Sequence, residues 1–210
     1  MVSVLIAGAT GLVGRHCLVY ALQDERIDDV VAPTRRALPS VDGLTNPVLD
    51  LTALAADSVW WAVDAVICAL GTTRRRAGSA EAFRRVDHDL TLTIAGLARD
   101  HGATTCVFTS SVGTRPDVRS LYLRIKGETE AGLERLGFPS LTIVRPAGMV
   151  TDGRRSLSRI NQAGAEVSRI VAPVLPKRLR PVPVDRVAAA LVDAAATGAP
   201  GHYVRESETL

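Results

Sequence analysis

Short apolar runs alternate along this chain with longer stretches in which apolar residues recur at helical spacing. The first run, Val2-Ser3-Val4-Leu5-Ile6-Ala7, predicts a strand, and it feeds into Gly8-Ala9-Thr10-Gly11-Leu12-Val13-Gly14. From there Val13, Cys17 and Ala21, with Leu18 and Leu22, form one helical face. Further strands are predicted over 28–34 (DDVVAPT), 47–49, 64–70 (DAVICAL), 104–109 (TTCVFT) and 140–145 (SLTIVR). A short helix or crossover is predicted over 51–60, a long crossover helix over 80–100 and further helices over 121–136, 157–171 and 184–196, with a short edge strand over 201–205. Parallel neighbours need helical crossovers and bury both faces, so the alternation predicts an α/β doubly wound parallel sheet, a Rossmann fold. Ligands on such a sheet sit at the carboxyl ends of its strands.

Composition narrows the class without naming a function. A 210-residue chain with 47% hydrophobic and 22% charged residues is expected to be one soluble domain. The net charge of +3 comes from scattered arginines without a basic block, so no nucleic-acid partner is expected. Cys17, Cys68 and Cys106 each lie within an apolar run, which predicts buried free thiols in a reducing compartment. The four histidines show no ligand spacing, and no metal is expected. The chain enters its first strand at Val2 and no apolar run reaches spanning length, so neither a leader nor a membrane partner is expected. A cytoplasmic location follows from that reading.

Candidate chemistry lies where the predicted strands end. In the first turn, Gly8 permits the bend, Gly11 lets backbone approach an anion and Gly14 lets the helix pack on the strand. Thr10, Leu12 and Val13 complete a backbone cradle at a helix N-terminus, which suits a pyrophosphate. The spacing G-x-x-G-x-x-G differs from the dehydrogenase form G-x-G-x-x-G, and an ordinary glycine turn is the plain alternative. The second strand ends in Thr34-Arg35-Arg36 with no carboxylate, which favours a 2′-phosphate and hence NADP(H) over NAD; a solvated arginine pair is the other reading. Asp50 is placed either to meet an adenine ring or to cap a helix. Leu70, Gly71 and Thr72 follow the fourth strand and would flank a cofactor, while Arg74 to Arg76 form either an anion clamp or a wet loop. Tyr122 and Lys126 are four apart and project from one helical face, away from the stripe of Ile125, Thr129, Leu133 and Leu136. An ammonium beside the phenol would lower its pKa and allow proton exchange near neutrality. Ser110 and Ser111, at the end of the fifth strand, offer a hydroxyl for a substrate carbonyl.

Taken together, GATGLVG at 8–14, TRR at 34–36, ALGTTRRRAG at 69–78, TSS at 109–111, YLRIKGETE at 122–130 and VRPAGM at 144–149 resemble the short-chain dehydrogenase/reductase superfamily. They resemble in particular its atypical branch typified by the Tat-interactive-protein oxidoreductase. The resemblance implies a Rossmann fold binding NADPH, with Tyr122 as general acid/base, Lys126 supporting it and holding the ribose, and Ser111 as the serine, Ser110 being its rival. Pro146 and Met149 lie in the loop that would border the nicotinamide, and residues 150–183 would form a small substrate-side insertion within a single domain of residues 1–210. Asp87 stands where family members often carry asparagine. The implied activity is reduction of a carbonyl-type small molecule. A cofactor-binding sensor that acts through a partner, and a ligand-free structural domain, are the competing readings. Superfamily members often pair through two crossover helices, which leaves monomer and homodimer both open.

Overall fold

Every pairing in the main sheet is parallel, as continuous apolar runs require of strands covered on both faces. A computed structural model describes residues 1–51, 53–151, 176, 178 and 180–210. Its strands are β1 (Val2–Ala7), β2 (Ile27–Val31), β3 (Leu44–Thr45), β4 (Ala65–Cys68), β5 (Thr105–Thr109), β6 (Ser140–Arg145) and β9 (Gly201–Glu206). They lie in the order β3-β2-β1-β4-β5-β6-β9, so the direction of winding reverses between β1 and β4. That reversal is where a doubly wound sheet opens a crevice. The doubly wound α/β fold expected from the alternation is the fold found.

Successive strand residues serve opposite layers, following the two-residue period of a strand. Val4, Ile6, Val30, Ile67 and Val107 face α1 (Gly14–Ala21) and α6 (Val184–Thr197), whose Cys17, Val187 and Leu191 are fully buried. Leu5, Val66, Cys68, Cys106 and Phe108 face the other layer, with Trp61, Ile94 and Leu133. That second layer contains α4 (Leu90–Asp100) and α5 (Leu121–Arg135). All three cysteines are free and buried, and burial pushes the Cys17 thiol up to about 12.

Several boundaries differ from the predicted ones for local reasons. The second strand stops at Val31 and the third lies at Leu44–Thr45 instead of 47–49, because Pro33 and Pro47 lack the N–H that a continuous ladder needs. Pairing survives further on as a single bridge, with Thr34 N–H donating to the Pro47 carbonyl at 3.0 Å and Leu49 N–H to the Thr34 carbonyl at 2.9 Å. The segment 51–60 supplies one 3-10 turn, Val59–Trp61, which seats Trp61 in the core with its indole N–H on the Ala55 carbonyl at 2.8 Å. Arg74–Ala77 coils into a short helix, α2. The long crossover predicted over 80–100 is α3 (Ala80–Arg84), a π-turn over Arg85–Asp89, and then α4.

A two-stranded pairing of β7 (Met149–Val150) with β8 (Val182–Pro183) went unpredicted. It brings together the two ends of the 150–183 segment. Most of that segment, and the helix expected over 157–171, lie outside the described residues.

Candidate active site

The turn after β1 is shaped by what a Cβ would strike. Gly8 adopts φ +93°, a conformation that disfavours other residues, and a Cβ there would stand 2.7 Å from the Ala69 carbonyl oxygen at the end of β4. A Cβ on Gly14 would lie 2.1 Å from the Gly8 carbonyl oxygen, so α1 packs on the turn by backbone alone. Gly11 N–H donates to that same carbonyl at 2.8 Å. Among the described residues no acceptor meets the N–H groups of Thr10, Leu12 or Val13, and the first turn of α1 carries no acidic side chain. Unpaired donors at the positive end of a helix fit the diphosphate of a dinucleotide.

Arg35 and Arg36 are exposed on the loop that leaves β2. The Thr34 hydroxyl donates to the Arg36 carbonyl at 2.7 Å. The Asn46 amide donates to the Thr34 hydroxyl at 2.8 Å and to the Ala32 carbonyl at 2.6 Å, and its oxygen accepts the Leu38 N–H at 2.8 Å. Asn46 therefore sets the shape of the arginine loop. No helix begins at Asp50 among the described residues; the backbone turns there, with Ala53 N–H on the Asp50 carbonyl at 3.1 Å. After β4, Leu70 is buried, Gly71 is exposed and Thr72 N–H donates to Asp87 Oδ2 at 2.9 Å.

Helix α5 starts beside this loop, with Ser120 as its N-cap accepting the Leu123 N–H. Tyr122 in its first turn is 42% exposed, with its ring 6.1 Å from that of Phe83, and the Ser111 hydroxyl lies close enough to its phenol to act on it. Ser110 is buried and turned inward, its hydroxyl 3.4 Å from that of Thr114. One turn along, Lys126 is only 4% exposed. Its Nζ donates to the Thr109 carbonyl at 3.0 Å, lies 4.7 Å from the centroid of the Phe108 ring, and stands 3.5 Å from Asp87 Oδ1.

Two expectations change here. Lys126 lies in the core side of the site, because the end of β5 accepts its ammonium beneath the helix. The Tyr122 phenol is held above its ordinary value, not below it: desolvation dominates, Asp87 adds to the rise, and only the neighbouring Ser111 hydroxyl opposes it. A phenol held high is protonated at neutral pH. That is the form able to donate a proton.

The loop after β5 is tied to the loop after β6 by Val112 N–H on the Pro146 carbonyl at 3.1 Å. Met149 packs against the layer of α1 and α6. Arg145, just before Pro146, is held by Glu130 Oε2 at 2.5 Å and Glu206 Oε1 at 3.4 Å. On α5, a Cβ at Gly127 would lie 2.6 Å from the Arg115 carbonyl carbon and 2.8 Å from Pro116 N. Gly127→Ala is expected to push the 112–120 loop off the helix and cost about 1–3 kcal/mol, read as a lower thermal midpoint; an unchanged midpoint would contradict that contact.

Asn46 and the burial of Asp87 were not anticipated as parts of the site. One signal for Lys126 is available in the composition: of the 25 basic residues only Lys126 and Lys177 are lysines, so a lysine where this chain otherwise places arginine marks a special position.

Sheet order, crevice and cradle define a Rossmann-like α/β protein of the extended short-chain dehydrogenase/reductase type. More narrowly, the chain belongs to the NAD dependent epimerase/dehydratase family, whose sequence profile matches residues 4–133. It is similar to "Protein FMP52, mitochondrial" of Candida albicans, at 30% identity over 209 residues, covering 95% of this chain and 90% of that protein. It is 35% identical to the Emericella nidulans protein of that name over 186 residues, covering 84% and 77%. With the Kluyveromyces lactis protein it shares 36% over 149 residues, which is 70% of this chain and spans 66% of that relative's length. Among solved structures it shares its fold with MoeE5 in complex with UDP-glucose and NAD (TM-score 0.73, 19% identity, 96% of this chain and 74% of that one). It also shares it with the Bordetella bronchiseptica enzyme WbmG in complex with NAD (TM-score 0.68, 14% identity, 98% and 72%). The cytoplasmic location expected from the start of the chain is overturned, since the relatives are named as mitochondrial proteins.

Proposed function

We propose that the protein is an NADP(H)-dependent reductase of a carbonyl-type small molecule, resembling the atypical branch typified by the Tat-interactive-protein oxidoreductase. The observation that carries this reading is Tyr122 beside Ser111 at the rim, one helical turn from a buried Lys126, at the same sheet end as the unpaired N–H groups of Thr10, Leu12 and Val13. In it, Thr10 to Gly14 would hold the diphosphate, Lys126 the ribose, and Leu70, Gly71, Thr72, Pro146 and Met149 would flank the nicotinamide half. The bound nicotinamide supplies a hydride for a carbonyl carbon. Tyr122 gives its proton to the carbonyl oxygen, Ser111 orients that oxygen by a hydrogen bond, and Lys126 keeps positive charge beside the developing alkoxide. The 150–183 segment, whose ends β7 and β8 bring together, would form the substrate side. Assaying aldehydes, ketones and quinones for NADPH oxidation tests the reading. Substrate-dependent oxidation is expected; tight NADPH binding with no oxidation across the panel would contradict it and favour a cofactor sensor.

Preference for NADP(H) rests on Arg35 and Arg36, which leave the end of β2 without a carboxylate and with two guanidiniums. The fold neighbours crystallised with NAD are under 25% identical and share the fold alone. The double variant Arg35→Ala, Arg36→Ala is expected to lower the ratio of NADPH to NADH affinity about 10- to 100-fold, the range for lost charge-assisted phosphate bonds. An unchanged ratio would show that neither arginine reads the 2′ position.

A further inference from the structure

Asp87 is a buried carboxylate in this site that the proposed chemistry leaves unused. It is fully buried, as are Phe83 (2% exposed) one turn before it and Thr91 one turn after it on the same helical face. A carboxylate costs far more to bury than those neighbours unless something pairs it. Its two oxygens have different partners. Oδ2 accepts the Thr72 N–H at 2.9 Å, and Oδ1, which accepts no hydrogen bond among the described residues, stands 3.5 Å from Lys126 Nζ. The backbone is built to bring it there. Asp87 lies at the middle of the π-turn, where Leu90 N–H reaches back five residues to the Arg85 carbonyl, and the Asp87 carbonyl accepts the Thr129 hydroxyl from α5 at 3.3 Å. A π-turn widens a helix to re-aim one residue, and it does so here at the point facing Lys126.

We infer that Asp87 is a positioning residue: its carboxylate is the counter-ion of Lys126 and clamps that lysine, from α5, to the Thr72 loop that leaves β4. This deepens the proposed function, on which it rests for the role of Lys126, by naming what keeps a buried lysine charged and the two walls of the crevice together. The groups facing Lys126 are Asp87 from the π-turn, the Cys68 thiol from β4, Phe108 and the Thr109 carbonyl from β5, and Glu130 from its own helix. Asp87 in turn faces Lys126 and Thr72 N–H, and its charge acts on Tyr122. Burial pulls the ammonium down and the carboxyl up, toward the neutral forms; each partner's charge opposes that pull. Removing the carboxylate charge therefore makes Lys126 easier to deprotonate.

Lysine-selective NMR on the full chain reads this directly, because only Lys126 and Lys177 contribute signals and Lys177→Arg assigns them. Asp87→Asn keeps an oxygen for Thr72 N–H but removes the charge. The Lys126 titration midpoint is expected to fall by about 1–3 pH units, the range for loss of an opposite charge at this distance. A residue with a merely structural role would leave it in place. An unmoved midpoint in a folded Asp87→Asn protein would overturn the assignment. Should that variant not fold, Lys126→Met read at the Asp87 carboxyl carbon decides: the carboxyl is expected to hold its proton to higher pH than in the wild type, and an unshifted carboxyl would overturn the pairing. The titrations need no cofactor, so they separate two failures. If the wild type reduces no carbonyl while Asp87→Asn still shifts Lys126, the pair stands and the reductase falls; if the wild type turns over and Asp87→Asn leaves Lys126 unshifted, the pair alone falls.

Discussion

Tyr122→Phe is expected to reduce turnover about 100- to 10,000-fold, the range for loss of a positioned general acid, while NADPH affinity stays within a few-fold of wild type. The two outcomes separate because the substitution deletes one hydroxyl. The phenyl ring still packs against Phe83, so the start of α5 keeps its contact. What disappears is the phenolic proton, which the raised phenol holds at neutral pH. Steady-state kcat with the best carbonyl of the panel, beside a fluorescence titration of NADPH, provides the check. Equal kcat in the variant would remove Tyr122 from the chemistry; a joint collapse of kcat and affinity would show that it serves to hold the cofactor instead.

Gly14→Ala carries the largest structural effect. Its Cβ would stand 2.1 Å from the Gly8 carbonyl oxygen and 2.6 Å from the carbonyl carbon, and both are backbone atoms of the turn that cannot rotate away. The helix must therefore lift from the strand end, loosening its packing on α6 and breaking the alignment of the N–H groups of residues 10–13. About 3 kcal/mol or more is expected, the upper end of overpacking costs. In a chain of 210 residues that corresponds to a thermal midpoint lower by roughly 6–12 °C. Dinucleotide affinity should be lost as well. Gly11→Ala is the contrast, since its Cβ would meet the same oxygen at 3.1 Å, a contact that a few tenths of an ångström relieve. A Gly14→Ala protein with wild-type midpoint and affinity would refute the backbone packing described for this turn.

Much of this arrangement could be read from residues alone because it depends on local patterns. Continuous apolar runs such as DAVICAL and SLTIVR mark strands covered on both faces, and β4, β5 and β6 begin and end within a residue or two of the predicted limits. The glycine turn was legible because its reasons are steric and local. What escaped depends on contacts between distant segments. Nothing near Asn46 announces that its amide will hold Thr34 and the arginine loop, since the partner lies across a strand pairing that the prolines had obscured. The helical spacing of Tyr122 and Lys126 placed them on one face, but a helical wheel does not say which end of that face meets the floor of the sheet. Lys126 meets it at the Thr109 carbonyl, and Tyr122 remains at the rim. The sign of the Tyr122 shift was misjudged for the same reason: sequence proximity to a lysine suggested a depressed phenol, whereas the ammonium is directed at Asp87 and β5 and burial dominates. Asp87 was visible as a departure from asparagine. Its pairing with Lys126 needed the π-turn, which no spacing rule foretells.

The central claim is that a dinucleotide lies across the carboxyl end of this sheet with its reactive ring beside Tyr122. A crystal structure of the protein grown with NADPH tests it most directly. The account predicts density for the diphosphate on the backbone N–H groups of Thr10, Leu12 and Val13, the 2′-phosphate against Arg35 and Arg36, and the nicotinamide next to the Ser111–Tyr122 pair. Density at any other place, or an empty turn at saturating NADPH, would contradict it.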